Sequence, residues 1–196
     1  MKEIEILVKL FDKKKKILKA LNGFKYIKKE RIKDTYYFHP NLNILIPEKN
    51  GRFRDCFRIR AKENKNLIAY KKDYFDKKDV WQYSEEHETS IGDFETISDI
   101  LKALGFKILI EIDNTKYKYL HKKYELVLEE VKGLGTFLEV EFKAKSNKSP
   151  KKIKKEIYDF ISSLGLKFEE LNLGKPELLY KKKMRIGHDF DCFQSI

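Results

Sequence analysis

Leu128-Glu129-Glu130-Val131-Lys132-Gly133-Leu134-Gly135-Thr136-Phe137-Leu138-Glu139-Val140-Glu141 carries two β-strands and the turn between them. Successive side chains of a strand point to opposite faces. After the turn, Leu138, Val140 and Phe142 therefore share one face, and Glu139 and Glu141 share the other. Gly133 and Gly135 supply turn geometry between a strand over 123–131 and a strand over 136–142. No helix follows them, so they do not form a phosphate loop. One face of this hairpin is ordinary core. The other presents carboxylates, and the rest of the chain indicates what they face.

The same alternation opens the chain. In residues 2–10, Ile4, Ile6, Val8 and Leu10 form an apolar face, while Glu3, Glu5, Leu7 and Lys9 form the other. Asp12 is expected to cap a short amphipathic helix ending near Asn22-Gly23. A long β-prone stretch from Phe24 to His39 contains Tyr36, Tyr37 and Phe38 and closes at Pro40-Asn41. Arg52 to Lys62 and Leu67 to Lys72 read as a hairpin, and residues 79–90 read as a further strand. Asp93 then opens a helix whose apolar positions Phe94, Ile97, Ile100, Leu101 and Leu104 follow a 3.6 period until Gly105. Ala20-Leu21-Asn22-Gly23-Phe24-Lys25 and Ala103-Leu104-Gly105-Phe106-Lys107 end two helices in the same way, each before a long strand. Two half-repeats are expected. A third helix starts near Pro150, and residues 175–185 form a short last one. Many long strands with few helices indicate an α+β chain built around a closed or nearly closed antiparallel barrel.

Bulk composition narrows the class. The 196 residues are 41% hydrophobic, with 14 Phe and 11 Tyr, too apolar for a disordered chain despite 38% charged residues. No apolar run approaches a membrane span, and the N-terminus lacks the pattern of a secretory signal, so a cytoplasmic protein is expected. Cys56 and Cys192 lie far apart with no metal-type spacing. The net charge of +12 comes from lysines scattered along the whole chain, which reads as solvated surface and not as a nucleic-acid interface. The arginines are different. Arg52, Arg54, Arg58 and Arg60 crowd into one short segment, and the guanidinium fork suits phosphate oxygens.

Matched charge pairs recur on separate strands. Glu3 and Glu5, Glu86 and Glu88, and Glu139 and Glu141 each share a face, and Arg58 and Arg60 share another. Each pair alone is what the wet face of any sheet would show. Together they describe a barrel with a polar lumen. Carboxylates suit Mg²⁺ or Mn²⁺ and Arg or Lys suit phosphates, so a lumen with both matches a metal–triphosphate complex. His87 points away from Glu86 and Glu88, and His39, His121 and His188 fall at turns or tails. Trp81, Tyr36 and Tyr37 read as packing at the core or barrel mouth.

Glu3-Ile4-Glu5, Asp34-Thr35-Tyr36-Tyr37, Arg58-Ile59-Arg60, Tyr70-Lys71, Glu86-His87-Glu88 and above all the block from Leu128 to Glu141 resemble the CYTH superfamily, the triphosphate tunnel metalloenzymes. Within it the chain is most similar to class IV adenylyl cyclases. The resemblance implies an eight-stranded antiparallel β-barrel with flanking helices, a CYTH domain over residues 1–183 and a C-terminal tail over 184–196. It implies Glu3, Glu5, Glu129, Glu139 and Glu141 as ligands of Mg²⁺ or Mn²⁺, and Arg58, Arg60, Lys71 and Lys116 as triphosphate-binding residues. Glu86 and Glu88 would be further acids of the tunnel.

Three departures bear on the chemistry. The family's Glu-x-Glu-x-Lys signature ends here in Leu7, leaving Lys9, with Lys116, as the catalytic lysines to expect. Glu111 and Ser84 stand where basic residues are common in the family. The implied activity is metal-dependent conversion of ATP to 3′,5′-cyclic AMP and pyrophosphate. The alternatives are hydrolysis of inorganic, thiamine or nucleoside triphosphate, and binding of a triphosphate without catalysis. The implied partner is a nucleoside triphosphate or other triphosphate, with a homodimer allowed and no membrane or nucleic acid expected.

Overall fold

The computed structural model describes residues 2–143 and 147–185, with the backbone alone at Lys2, Glu3 and Arg185. Expectations for the tail over 186–196, including His188 and Cys192, lie outside the described residues. Ten strand segments form a single antiparallel sheet: β1 (Lys2–Glu3), β2 (Glu5–Leu10), β3 (Lys25–Phe38), β4 (Asp55–Lys62), β5 (Lys65–Phe75), β6 (Trp81–Ile91), β7 (Lys107–His121), β8 (Tyr124–Val131), β9 (Gly135–Phe142) and β10 (Phe168–Glu170). Four helices accompany them: α1 (Lys14–Leu21), α2 (Phe94–Ala103), α3 (Pro150–Ser163) and α4 (Lys175–Arg185).

The sheet order is β1-β6-β5-β4-β3-β7-β8-β9-β2-β10. β1 and β2 are one N-terminal strand interrupted at Ile4, and that strand stitches the two edges together. Lys2 and Glu3 pair with Glu85 and Ser84 of β6, while Glu5 to Leu10 pair with β9. Counted once, the interrupted strand makes eight in the barrel wall, and β10 is an added edge beside β2. The half-repeats explain the order. Each half runs strand, helix, then three strands, and β3 pairs with β7 at the centre. The first strand of each half crosses to the other half, β2 onto β9 and β6 onto β5.

Alternation sorts the two sides of the wall. Outward from β2, β8 and β9 point Ile6, Val8, Leu10, Leu126, Leu128, Leu138 and Val140, buried against Ile17 and Leu21 of α1 and Ile153, Ile157 and Ile161 of α3. α2 covers the outer side of the first half, where the buried Tyr37 hydroxyl meets Ser98 Oγ at 3.1 Å. A third apolar cluster lies inside one end of the barrel, where Tyr180 of α4 packs among Tyr36, Phe53, Ile110, Ile112, Val131 and Phe137. α4 thus closes one mouth, and the charged part of the lumen begins where this cluster stops.

Asp93 caps α2, accepting from Thr96 N–H at 2.6 Å, and Pro150 occupies the first turn of α3. Asp12 does not cap α1. The capping position is Lys13 without a side-chain bond, and Asp12 instead accepts from Lys16 Nζ and from the backbone N–H of Lys167, tying the turn after β2 to the entry of β10. Among the described residues no helix is long and apolar enough to cross a membrane.

Candidate active site

A cavity of about 490 Å³ runs into the lumen, within the range of small-molecule sites. Strand register assembles its walls. Arg60 lies opposite Asp34, and Arg58 lies opposite Tyr36, across β3 and β4. The Arg60 fork donates to both Asp34 oxygens at 2.6 and 2.8 Å. Arg58 donates to Glu86 at 2.6 Å and to the Tyr36 hydroxyl at 3.3 Å, and lies 3.8 Å from Asp34. Burial works to raise the Asp34 pKa, but Arg60 and Arg58 outweigh it and hold the carboxyl well below the usual range.

The acidic wall comes from β2, β8 and β9. Glu5 faces Glu141 across the β2–β9 ladder, and Leu7 faces Glu139. Lys71 on β5 reaches Glu5 at 3.5 Å. Glu141 is held by Lys143 at 2.9 Å, yet burial raises its pKa. Glu129 is fully buried, accepting from Asn114 Nδ2 at 2.9 Å, with Lys116 at 3.4 Å. Burial lowers the Lys116 pKa in spite of that carboxylate.

Lys175, the first residue of α4, reaches into this wall. Its ammonium donates to Glu129 at 2.5 Å and to Glu139 at 2.8 Å. Burial disfavours the charge, but the two carboxylates prevail and raise the Lys175 pKa, while Lys175 and Lys116 hold Glu139 well below the usual range against its own desolvation. The cavity lining also includes apolar side chains, Phe75, Val80, Trp81, Leu171, Leu173 and Pro176. Ser84 helps fix Trp81 there, accepting from the indole N–H at 3.1 Å and donating to Asp73 at 2.5 Å. Lys154 of α3 lies over the Trp81 ring, 4.1 Å from its centre.

Of the residues expected from sequence, Glu5, Arg58, Arg60, Lys71, Glu86, Lys116, Glu139 and Glu141 line this cavity, and Glu129 stands behind Lys116 and Lys175. Glu3 has its backbone opposite Ser84, and its side chain lies outside the described residues. Lys9 does not line the cavity. One inward step along a strand moves a side chain roughly 7 Å, and Lys9 extends toward Gly135 instead. Glu88 shares the face of Glu86 but is exposed, one step nearer the end of β6. Glu111 is exposed on the outer face with Lys33 at 2.8 Å, so the acid there removes no cation from the lumen. Sequence reading missed Lys175, the buried partner role of Asp34, and Asn114. A lysine placed immediately before Pro176-Glu177, at the start of the last helix, was the available signal for the first.

The carboxylates suit a hard divalent cation, though among the described residues no three acidic, His or Cys side chains converge on one point. Such a site is still serviceable, because Mg²⁺ is commonly held by one or two carboxylates together with phosphate oxygens. Glu129 and Glu139 already share a cation, the Lys175 ammonium. The residues fit the ion.

The barrel lumen thus presents carboxylates interleaved with guanidinium and ammonium groups. The CYTH domain family matches residues 1–171, and the chain belongs to it. CYTH proteins bind triphosphate substrates and use divalent metals. A protein of Methanocaldococcus jannaschii named a putative adenylate cyclase is 32% identical over 194 residues, covering 95% of this chain and 98% of that protein. The solved structure of the PH1819 protein of Pyrococcus horikoshii is 27% identical, with a TM-score of 0.74 over 91% of this chain and 99% of that one. A solved structure from Vibrio parahaemolyticus, titled a putative adenylate cyclase, has a TM-score of 0.69 at 13% identity, over 90% of this chain and 97% of that one, and shares the fold.

Proposed function

We propose that this protein converts ATP to 3′,5′-cyclic AMP and pyrophosphate inside the barrel. The observation that carries the reading is a cavity of about 490 Å³ whose lining holds both charge sets together with aromatic and apolar side chains. Triphosphate needs the former. The apolar part of the lining offers surface for a nucleoside, which a site for inorganic triphosphate would not require.

Arg58, Arg60, Lys71 and Lys116 grip the triphosphate, and the guanidinium groups contribute the planar, forked recognition that phosphate oxygens favour. Mg²⁺ or Mn²⁺, held by one or two carboxylates from among Glu5, Glu129, Glu139 and Glu141 together with the triphosphate, would supply activation of the ribose 3′-hydroxyl and neutralise charge on the departing pyrophosphate. The protein's own part is to position the nucleotide in line and to keep water from competing with the 3′-hydroxyl. The name of the M. jannaschii relative supports the same reaction.

The test is a panel of ATP, GTP, thiamine triphosphate and tripolyphosphate with Mg²⁺ and Mn²⁺, with Glu5→Ala and Glu141→Ala as controls. Cyclic AMP and pyrophosphate are expected from ATP, and neither from the controls. Orthophosphate as the product would replace cyclisation by hydrolysis in the same lumen. Absence of turnover in every arm, with triphosphate still protecting against thermal unfolding, would make the protein a binder.

A further inference from the structure

We infer that Lys175 is an exchangeable internal cation: it occupies Glu129 and Glu139 in the empty tunnel and transfers to the triphosphate when a divalent metal takes those carboxylates. This rests on the functional reading above.

The ammonium belongs to the last helix, yet it bridges two carboxylates of the barrel wall at 2.5 and 2.8 Å. Glu129 is fully buried, and Lys175 is 13% exposed. Groups so enclosed cannot be left bare, since breaking a buried pair by removing one partner is strongly destabilising. Three occupancy states then differ sharply. Metal alone would displace Lys175 and strand an ammonium inside the lumen. Triphosphate alone would draw Lys175 away and leave Glu129 and Glu139 to share Lys116. The two together satisfy every charge: carboxylates on the metal, ammonium on phosphate.

Position supports the exchange. Leu7 stands opposite Glu139 in the β2–β9 ladder, so β2 offers no cation there. The backbone leading to α4 crosses that point, with Leu171 N–H donating to the Leu7 carbonyl at 3.2 Å. Lys175 therefore comes from outside the strands to the place where β2 has a leucine, and its flexible stem lets it change partners without moving the helix. Arg58 and Arg60 are less free to do so, Arg58 bonded to both Tyr36 and Glu86 and the rigid Arg60 fork to both oxygens of Asp34.

The consequence is positive coupling between metal and triphosphate, and coupling is reciprocal. Calorimetry and Mn²⁺ electron paramagnetic resonance on the full chain, with and without α,β-methylene-ATP, which cannot cyclise, measure it without turnover. In the wild type the nucleotide analogue is expected to tighten Mn²⁺ binding by about tenfold or more. In Lys175→Met, Mn²⁺ alone binds about tenfold tighter than in the wild type, and the analogue adds little. Lys175→Arg, which keeps the charge, resembles the wild type toward Mn²⁺ alone and serves as the folded comparison, with thermal melts on all three. Equal Mn²⁺ affinity in wild type and Lys175→Met, with binding of the Mn²⁺–analogue complex intact, overturns the exchange alone. Failure of the wild type to bind that complex overturns the functional reading and the exchange with it.

Discussion

Asp34→Asn removes one negative charge from the most enclosed ion pair of the basic wall. Asp34 is 3% exposed and accepts both prongs of Arg60, with Arg58 behind. Breaking a buried pair by deleting one partner costs about 3–5 kcal/mol, because the other charge is left uncompensated. Asparagine keeps the shape and one acceptor oxygen, which places the loss near the lower bound, about 3 kcal/mol. For a chain of this size the melting temperature should fall by roughly 6–12 °C. Urea titration at pH 7, followed by far-ultraviolet circular dichroism, should show a lower midpoint with an unchanged slope. The pair also predicts the pH dependence. The folded carboxyl is held far below its ordinary value of 3.8, so its contribution is complete above that value and is lost as pH falls below it, where the unfolded chain takes up the proton first. Wild type and variant should therefore converge as pH is lowered from 5 to 2. A loss under about 1 kcal/mol at pH 7, the size of an exposed pair, would refute the view that the lumen network is desolvated.

Ile157→Ala on α3 should cost about 2–5 kcal/mol in the same titration, because the side chain is fully buried in the cluster between the helices and the outer face of β2, β8 and β9. Lys154 has a pH signature of the same sign as Asp34, in an alkaline window. Burial lowers its pKa to about 8, so the unfolded chain holds the proton more tightly between there and 10.5 and stability climbs with pH across that window. Lys154→Met should flatten the climb in thermal melts taken from pH 7.5 to 10. Arg58→Ala should lower kcat/KM for ATP by a factor of about 10²–10³, the usual effect of deleting one electrostatic donor, with circular dichroism confirming the fold.

The barrel wall was legible in the sequence because strands obey a period of two. Once residues 128–141 are read as a hairpin, Glu139 and Glu141 must face away from Leu138 and Val140, and the same logic assigns Glu5, Arg58, Arg60 and Glu86 to the lumen side. The repeated Ala-Leu-(Asn)-Gly-Phe-Lys ends marked the two halves whose long strands, β3 and β7, pair at the centre. Alternation gives a face but not a depth. Lys9 and Glu88 lie on the inward parity and still miss the cavity, because each stands a full inward step beyond it. β10 is three residues long and carries no pattern of its own; it exists through pairing with Val8, Lys9 and Leu10.

The basic wall was the harder half, for a physical reason. Cations supplied by strands can be counted from parity, and by that count Leu7 and Glu111 thin them. Glu111 proves to lie outside the barrel, paired with Lys33, so it takes nothing from the lumen. Lys175 comes from a helix 46 positions beyond Glu129, a tertiary placement that no local period encodes. Its arrival changes what the lumen asks of a ligand. Arg58, Arg60, Lys71, Lys116 and Lys175 each already face a carboxylate. A bare triphosphate would have to compete with all of those acids at once. A triphosphate bringing divalent cations gives the displaced carboxylates new partners, so the arrangement of ion pairs itself selects for the metal complex over the free anion.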